Sequence, residues 1–181
     1  MRRCKWCNLK NEKYIEYHDK EWGILNLEER YLFEMLILES FQAGLSWECV
    51  LNKREDFRLA YDNFDINKVC LYDNKKEQEL LQNQGIIRNK LKIRASINNA
   101  KIFKKIEQEY DSFKDYLTRY TKGQVIYETD VTRSELSYAI SKDLIKRGMK
   151  FVGTTIIYSY LQAIGVIYSH DKECDLYKNS N

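Results

Sequence analysis

Apolar positions along the chain recur mostly three and four residues apart, the period of an α-helix, and no succession of alternating strand patterns interrupts them. The densest stretch, Glu28 to Phe41, is apolar almost all round through Leu32, Phe33, Met35, Leu36, Ile37 and Leu38, which predicts a buried helix. Gln42-Ala43-Gly44-Leu45-Ser46 breaks it, and Ser46 is placed to cap a following helix through Trp47, Val50 and Leu51. Further on, Asp65 caps a short helix reaching Val69, and Lys75 to Gln84 forms another before Gly85. Asn89 to Phe103 reads as a long amphipathic helix, Phe113 to Tyr120 as a short one. From Thr121 to Thr132 the pattern is indistinct, with Val125-Ile126-Tyr127 a strand fragment. Ser134 to Arg147 is helical and stopped by Gly148, and Gly153-Thr154 opens a last helix to about Ala163, closed by Gly165. The expectation is an all-α fold of eight or so helices in a single unit, 1–181.

Composition adds limits. The chain has no proline, so glycines must mark the turns. Its 14 tyrosines, with abundant Lys, Asn and Ile, are partly what an AT-rich genome would produce. No stretch approaches the roughly 18 apolar residues of a membrane span, and Met1 to Trp6 lacks the apolar run of a secretory signal. The expected location is therefore the cytoplasm, with no membrane partner. A net charge of +3 permits a nucleic-acid ligand only if the basic residues cluster. Five cysteines, an odd number, argue for reduced thiols or metal ligands over a disulfide framework.

The two histidines each have a cysteine within reach in sequence: Cys4 precedes His18, and Cys174 follows His170 by four residues. A helical turn over 170–174 would aim both of its donors at one ion, and two such pairs make a Cys2His2 tetrahedron suited to structural zinc. Spacing alone leaves two surface histidines and unrelated thiols as the other reading, and Cys7 as a substitute for Cys4. Glu39 sits among Leu36, Leu38 and Phe41, where a carboxylate is costly unless paired; it either points outward at the helix end or serves a site. Tyr14, Tyr17 and His18 share one helical face, and all three tryptophans, Trp6, Trp22 and Trp47, lie in the same quarter of the chain as Glu39. Aromatic walls around an acid suit a flat, cationic ring; ordinary core packing is the bland alternative. Finally, helix 134–147, turn 148–153 and the helix from Thr154 make a hairpin whose second helix offers free N–H groups to a phosphate, with Lys142, Lys146, Arg147 and Lys150 as nearby charge.

Taken together, these stretches resemble the DNA-3-methyladenine glycosylase I family, a bacterial branch of the helix-hairpin-helix glycosylases. The likeness runs through Tyr14 to Gly23, Leu38 to Trp47, Gly85 to Lys90 and Lys150 to Thr155, and so covers nearly the whole chain. It implies a helix-hairpin-helix glycosylase fold, the hairpin at about 134–163, with its termini joined by one structural zinc on Cys4, His18, His170 and Cys174. It implies that Glu39 recognises the extruded base and carries the catalysis, with Trp6, Tyr14, Tyr17 and Trp47 around it and Trp22 supporting that wall. Gly44 and Leu45 would fill the gap left by the flipped nucleotide, with Gln42 beside them at the DNA, and Lys150, Gly153, Thr154 and Thr155 would grip DNA. The implied activity is hydrolytic release of 3-methyladenine from double-stranded DNA by a monomer, leaving an abasic site. Two departures stand out: Cys7 lies outside the family's ligand pattern, and Lys150 and Phe151 occupy hairpin positions where the superfamily has a proline and a glycine.

Overall fold

The computed structural model describes residues 1–178. Ten α-helices make up the described chain: α1 (Glu12–Lys20), α2 (Glu29–Gln42), α3 (Trp47–Asn52), α4 (Arg54–Ala60), α5 (Ile66–Val69), α6 (Asn74–Gln82), α7 (Lys90–Tyr110), α8 (Phe113–Thr121), α9 (Glu135–Lys146) and α10 (Thr154–Ala163). Most begin where a short polar side chain accepts from the first-turn N–H groups: Asn11, Ser46, Asp65, Asp73, Asn89, Ser112 and Ser134 all do so.

The apolar pattern of α2 has its expected meaning. Every residue from Tyr31 to Phe41 is buried, and α2 packs against α10, α7, α3 and α8. A helix covered on all sides cannot be amphipathic, so the all-round apolar sequence and the central position are one fact. The buried side chains form one continuous cluster that extends from Cys4 to Cys174.

Several expectations need correction. Helix α4 was not expected, because its sequence opens on Arg54-Glu55-Asp56; its inner face is Arg54, Phe57 and Ala60, with the guanidinium neutralised by ion pairs. Helix α7 continues past Phe103, burying Ile106, until Asp111 adopts a left-handed φ of 69°. The strand fragment is real but short. Ile126–Tyr127 (β1) pairs in parallel with Ile167–Tyr168 (β2), a partner strand that the sequence pattern did not disclose. His170 and Cys174 lie in a turn outside any helix, so chain reversal, and not helical spacing, brings their donors together.

Gly165 does more than close α10. With φ of +74°, it lets the chain pass so near the backbone of Ile24 and Leu25 that an added Cβ would stand 2.2 Å from the Ile24 carbonyl carbon. The N–H of Asn26 donates to Ile164 O, and that of Gly23 to Gln162 O. The N-terminal segment is thereby laid along the end of α10.

Candidate functional site

Helix α1 turns Tyr14, Tyr17 and His18 inward together, as their spacing requires. Its cap residue Asn11 also donates to Glu48 in α3 at 2.8 Å, which fixes α1 against the helix that starts with Trp47. Between α1, α2, α3 and α10 lies a cavity of about 520 Å3. Trp6, Tyr14, Tyr17, Trp22, Glu39, Gln42 and Trp47 line it. The rings brace one another: Trp6 meets Trp22 edge-on at 4.8 Å and Tyr14 at 5.4 Å, and Tyr17 meets Trp47 at 5.3 Å.

Glu39 is buried in this setting, and its Oε2 has no hydrogen-bond partner; the same holds for the indole Nε1 of Trp47. Burial alone pushes the Glu39 carboxyl up to about 8, since removing water penalises the charged form and no nearby cation offsets it. The contrast lies five residues earlier on the same helix. Glu34 is fully buried too, yet Arg30, Arg54 and Arg58 bond it at 2.6–2.8 Å and hold its carboxyl below the usual range. One acid is neutralised by the protein; the other is left without a cation.

Further polar groups line the cavity: Ser159 and Gln162 from α10, Ser169 and Asp171 after β2, and Asp130 and Thr132 from the loop following β1. These residues come from separate stretches, and no sequence pattern joins them to the N-terminal aromatics. Ser159 and Gln162 carry the one available signal, being polar and three apart in the apolar part of α10.

Behind the aromatic wall, Cys4, His18, His170 and Cys174 converge, all buried, with donor atoms within 4.8 Å of one another. The His18 Nδ1 is held by Asp19 at 2.8 Å, which leaves Nε2 directed at the cluster. The Asp171 N–H approaches the Cys4 sulfur at 3.3 Å, and the Leu176 N–H the Cys174 sulfur at 3.5 Å, contacts that suit thiolates. The His170 imidazole, depressed to about 4 chiefly by burial, stays neutral, as a metal ligand must. Cys7 is not part of this group; its thiol reaches the Tyr14 carbonyl at 3.8 Å. The cluster and the cavity share a wall, for Trp22 contacts His170 at 4.7 Å and Trp6 contacts His18 at 5.2 Å.

The residues expected to touch DNA form two neighbouring projections. In the loop after α2, Gly44 has φ of +75° and Leu45 is 41% exposed, a large apolar side chain held out in water. Gln42, the last residue of α2, faces the cavity instead. In the α9–α10 turn, Lys150, Gly153 and Thr155 are exposed and Thr154 is half-buried. Gly153 caps α10 with no side-chain bond to the first-turn N–H groups. Phe151 takes φ of 55°, the conformation a glycine at that position would favour. Arg147 must be removed from the expected phosphate-binding charge: Glu109 and Asp143 bond its guanidinium at 2.6 Å each.

The methyladenine glycosylase family matches residues 6–178. A DNA-3-methyladenine glycosylase 1 from Escherichia coli is 42% identical over 183 residues, spanning 98% of this chain and 97% of its own. The crystal structure of a 3-methyladenine DNA glycosylase I superimposes with a TM-score of 0.93 at 41% identity, covering 98% of this chain and all of the other. A Staphylococcus aureus 3-methyladenine DNA glycosylase I, solved to explain its recognition of 3-methyladenine, gives 0.92 at 31% identity, covering 99% and 100%.

Proposed function

The chain belongs to the methyladenine glycosylase family, and from that premise we propose how its residues divide the work. The protein is a DNA glycosylase that excises 3-methyladenine. The observation that carries the residue-level reading is the unpartnered, buried Glu39 carboxylate at an aromatic cavity.

Alkylation at N3 makes adenine cationic and weakens its bond to deoxyribose. The base leaves as a neutral molecule, so no strong acid is needed. Glu39 accepts hydrogen bonds from the adenine edge and, once ionised, attracts the positive ring and the charge developing on the sugar. A cation beside it reverses the effect of burial and favours the carboxylate. Trp6, Tyr14, Tyr17 and Trp47 sandwich the ring, where stacking contributes about 1–3 kcal/mol per base, and Trp22 backs them. Water completes the hydrolysis and leaves an abasic site. Among the described residues lining the cavity there is no lysine, so a Schiff-base lyase step has no nucleophile there.

Leu45, presented by the sharp turn at Gly44, occupies the space vacated in the duplex with Gln42 beside it, offsetting an extrusion cost of a few kcal/mol. The α9–α10 pair acts as the helix-hairpin-helix element. Lys150, Gly153, Thr154 and Thr155 hold a phosphate at the open start of α10 without reading sequence. Cys4, His18, His170 and Cys174 hold one zinc ion: two sulfurs and two nitrogens match its chemistry, and four protein ligands leave no position for substrate. The zinc is structural. It joins the two ends of a single unit that works as a monomer on alkylated double-stranded DNA.

Incubating the protein with methylated duplex DNA and identifying the released base tests the whole reading, with free 3-methyladenine expected. Glu39→Gln should lower that release at least tenfold; a near-wild-type rate would remove Glu39 from catalysis.

A further inference from the structure

Helix α2 ends at Gln42 with no basic residue in its last turn, although its final carbonyls lack helical partners. The missing cation comes from α7. The Lys92 ammonium, on a residue only 7% exposed, donates to Phe41 O at 2.7 Å and to Ala43 O at 2.5 Å. These two carbonyls straddle the root of the loop that presents Leu45. Lys92 does not line the Glu39 cavity.

The same helix also holds the hairpin turn. Seven residues on, two helical turns along the same face, Asn99 exchanges both amide bonds with the Lys150 backbone, donating to its carbonyl at 2.8 Å and accepting from its N–H at 2.9 Å. Asn98 donates to Gly148 O at 2.9 Å. Between these anchors, Phe151 is held in its left-handed conformation, and its ring lies 6.0 Å from the Lys92 ammonium. A phenylalanine in place of glycine is strained there, but the strained backbone brings the ring near the buried cation.

We infer that Lys92 is a positioning residue for base extrusion: it pins the Leu45 loop to α7, and α7 fixes that loop's distance from the phosphate-holding turn. Two projections must enter one duplex together, so their separation is set by one rigid helix instead of two flexible loops. This inference rests on the wedge role proposed for Leu45.

The test uses the full-length protein with methylated DNA as duplex and as separated single strands. In single strands there is no stacked partner gap to fill. Lys92→Met, which keeps the stem and removes the charge, is expected to slow release from duplex at least tenfold and from single strands less than threefold. Quenching of tryptophan fluorescence by free 3-methyladenine should give a Kd within twofold of wild-type, which also certifies folding. In the Lys92→Met background, Leu45→Ala should cost less than twofold more. Equal losses on both DNAs, a weakened Kd for free base, or multiplying losses in the double variant would overturn the inference. So would a wild-type duplex rate for Lys92→Met. If Leu45→Ala alone leaves duplex release unchanged, the wedge reading itself falls. A strong Leu45→Ala loss beside an unaffected Lys92→Met sinks only the positioning role. Should Lys92→Met not fold, Lys92→Arg and Asn99→Ala carry the same comparison, with losses again confined to duplex.

Discussion

Two glutamates five residues apart on α2 show how environment divides a charge the protein satisfies from one it leaves unpartnered. Glu34 is enclosed by three guanidiniums, so its ionised form is the stable one. Glu39 has no cation to offset its burial, and its carboxyl is raised from 4.5 to about 8. A raised folded pKa means that stability is fullest below the unfolded value and is lost as pH climbs toward the folded one. Between about pH 4.5 and 8, ionising Glu39 therefore destabilises the ligand-free protein. Glu39→Gln should match wild-type in urea unfolding near pH 4.5 and exceed it near pH 9 by an amount on the order of a few kcal/mol. A constant difference across that range would show that the carboxyl is solvated. The same group should appear in kinetics: kcat/KM reports the free enzyme, so for wild-type it should fall as pH drops below about 8. Glu39→Gln should be slower and flat across that interval.

At the scale of elements, sequence periodicity located most helices because a polar cap, an apolar face or an all-round apolar run marks them. It failed where burial was polar. Arg54 faces inward on α4 only because Glu34 and Glu21 meet it there, and partners so far apart in sequence leave no periodic trace. For the same reason Glu34 drew no attention while Glu39 did, although both break one apolar run. The fragment at Ile126–Tyr127 was legible, but its partner Ile167–Tyr168 was not, because a parallel pair of two residues each is set by tertiary packing. Gly165 was legible as a helix stop but not as a close approach. Its replacement distinguishes the two roles. As a stop alone, Gly165→Ala would cost about 1–3 kcal/mol for the left-handed backbone. Because the new methyl would also strike the Ile24–Leu25 backbone, the expected loss exceeds about 3 kcal/mol, measured by denaturant unfolding. A loss near 1 kcal/mol would mean that the N-terminal segment can move away freely.

Across the whole molecule, the two ends of the described chain meet behind the aromatic wall of the cavity. Trp6 and Trp22 each touch the cavity on one side and a cluster histidine on the other, so whatever orders the cluster also orders the wall. Four buried donors without a metal would leave two thiols and two imidazoles packed together with little to hold their geometry. Zinc binding adds folding free energy on the order of 10 kcal/mol in small zinc modules. Here a hydrophobic core already exists, so the ion's effect should fall on the termini and the aromatic wall more than on α2 and α7. Purified protein should contain one zinc per chain by elemental analysis. Cys174→Ser, or removal by a strong chelator, should lower Tm by about 10 °C or more and weaken tryptophan quenching by free 3-methyladenine, although neither change touches a cavity residue. Hydrogen exchange should rise in α1 and in residues 165–178 while α2 and α7 remain protected. Metal-free protein with unchanged Tm and unchanged base binding would reduce the cluster to a set of packed side chains and would separate the wall from the ends of the chain.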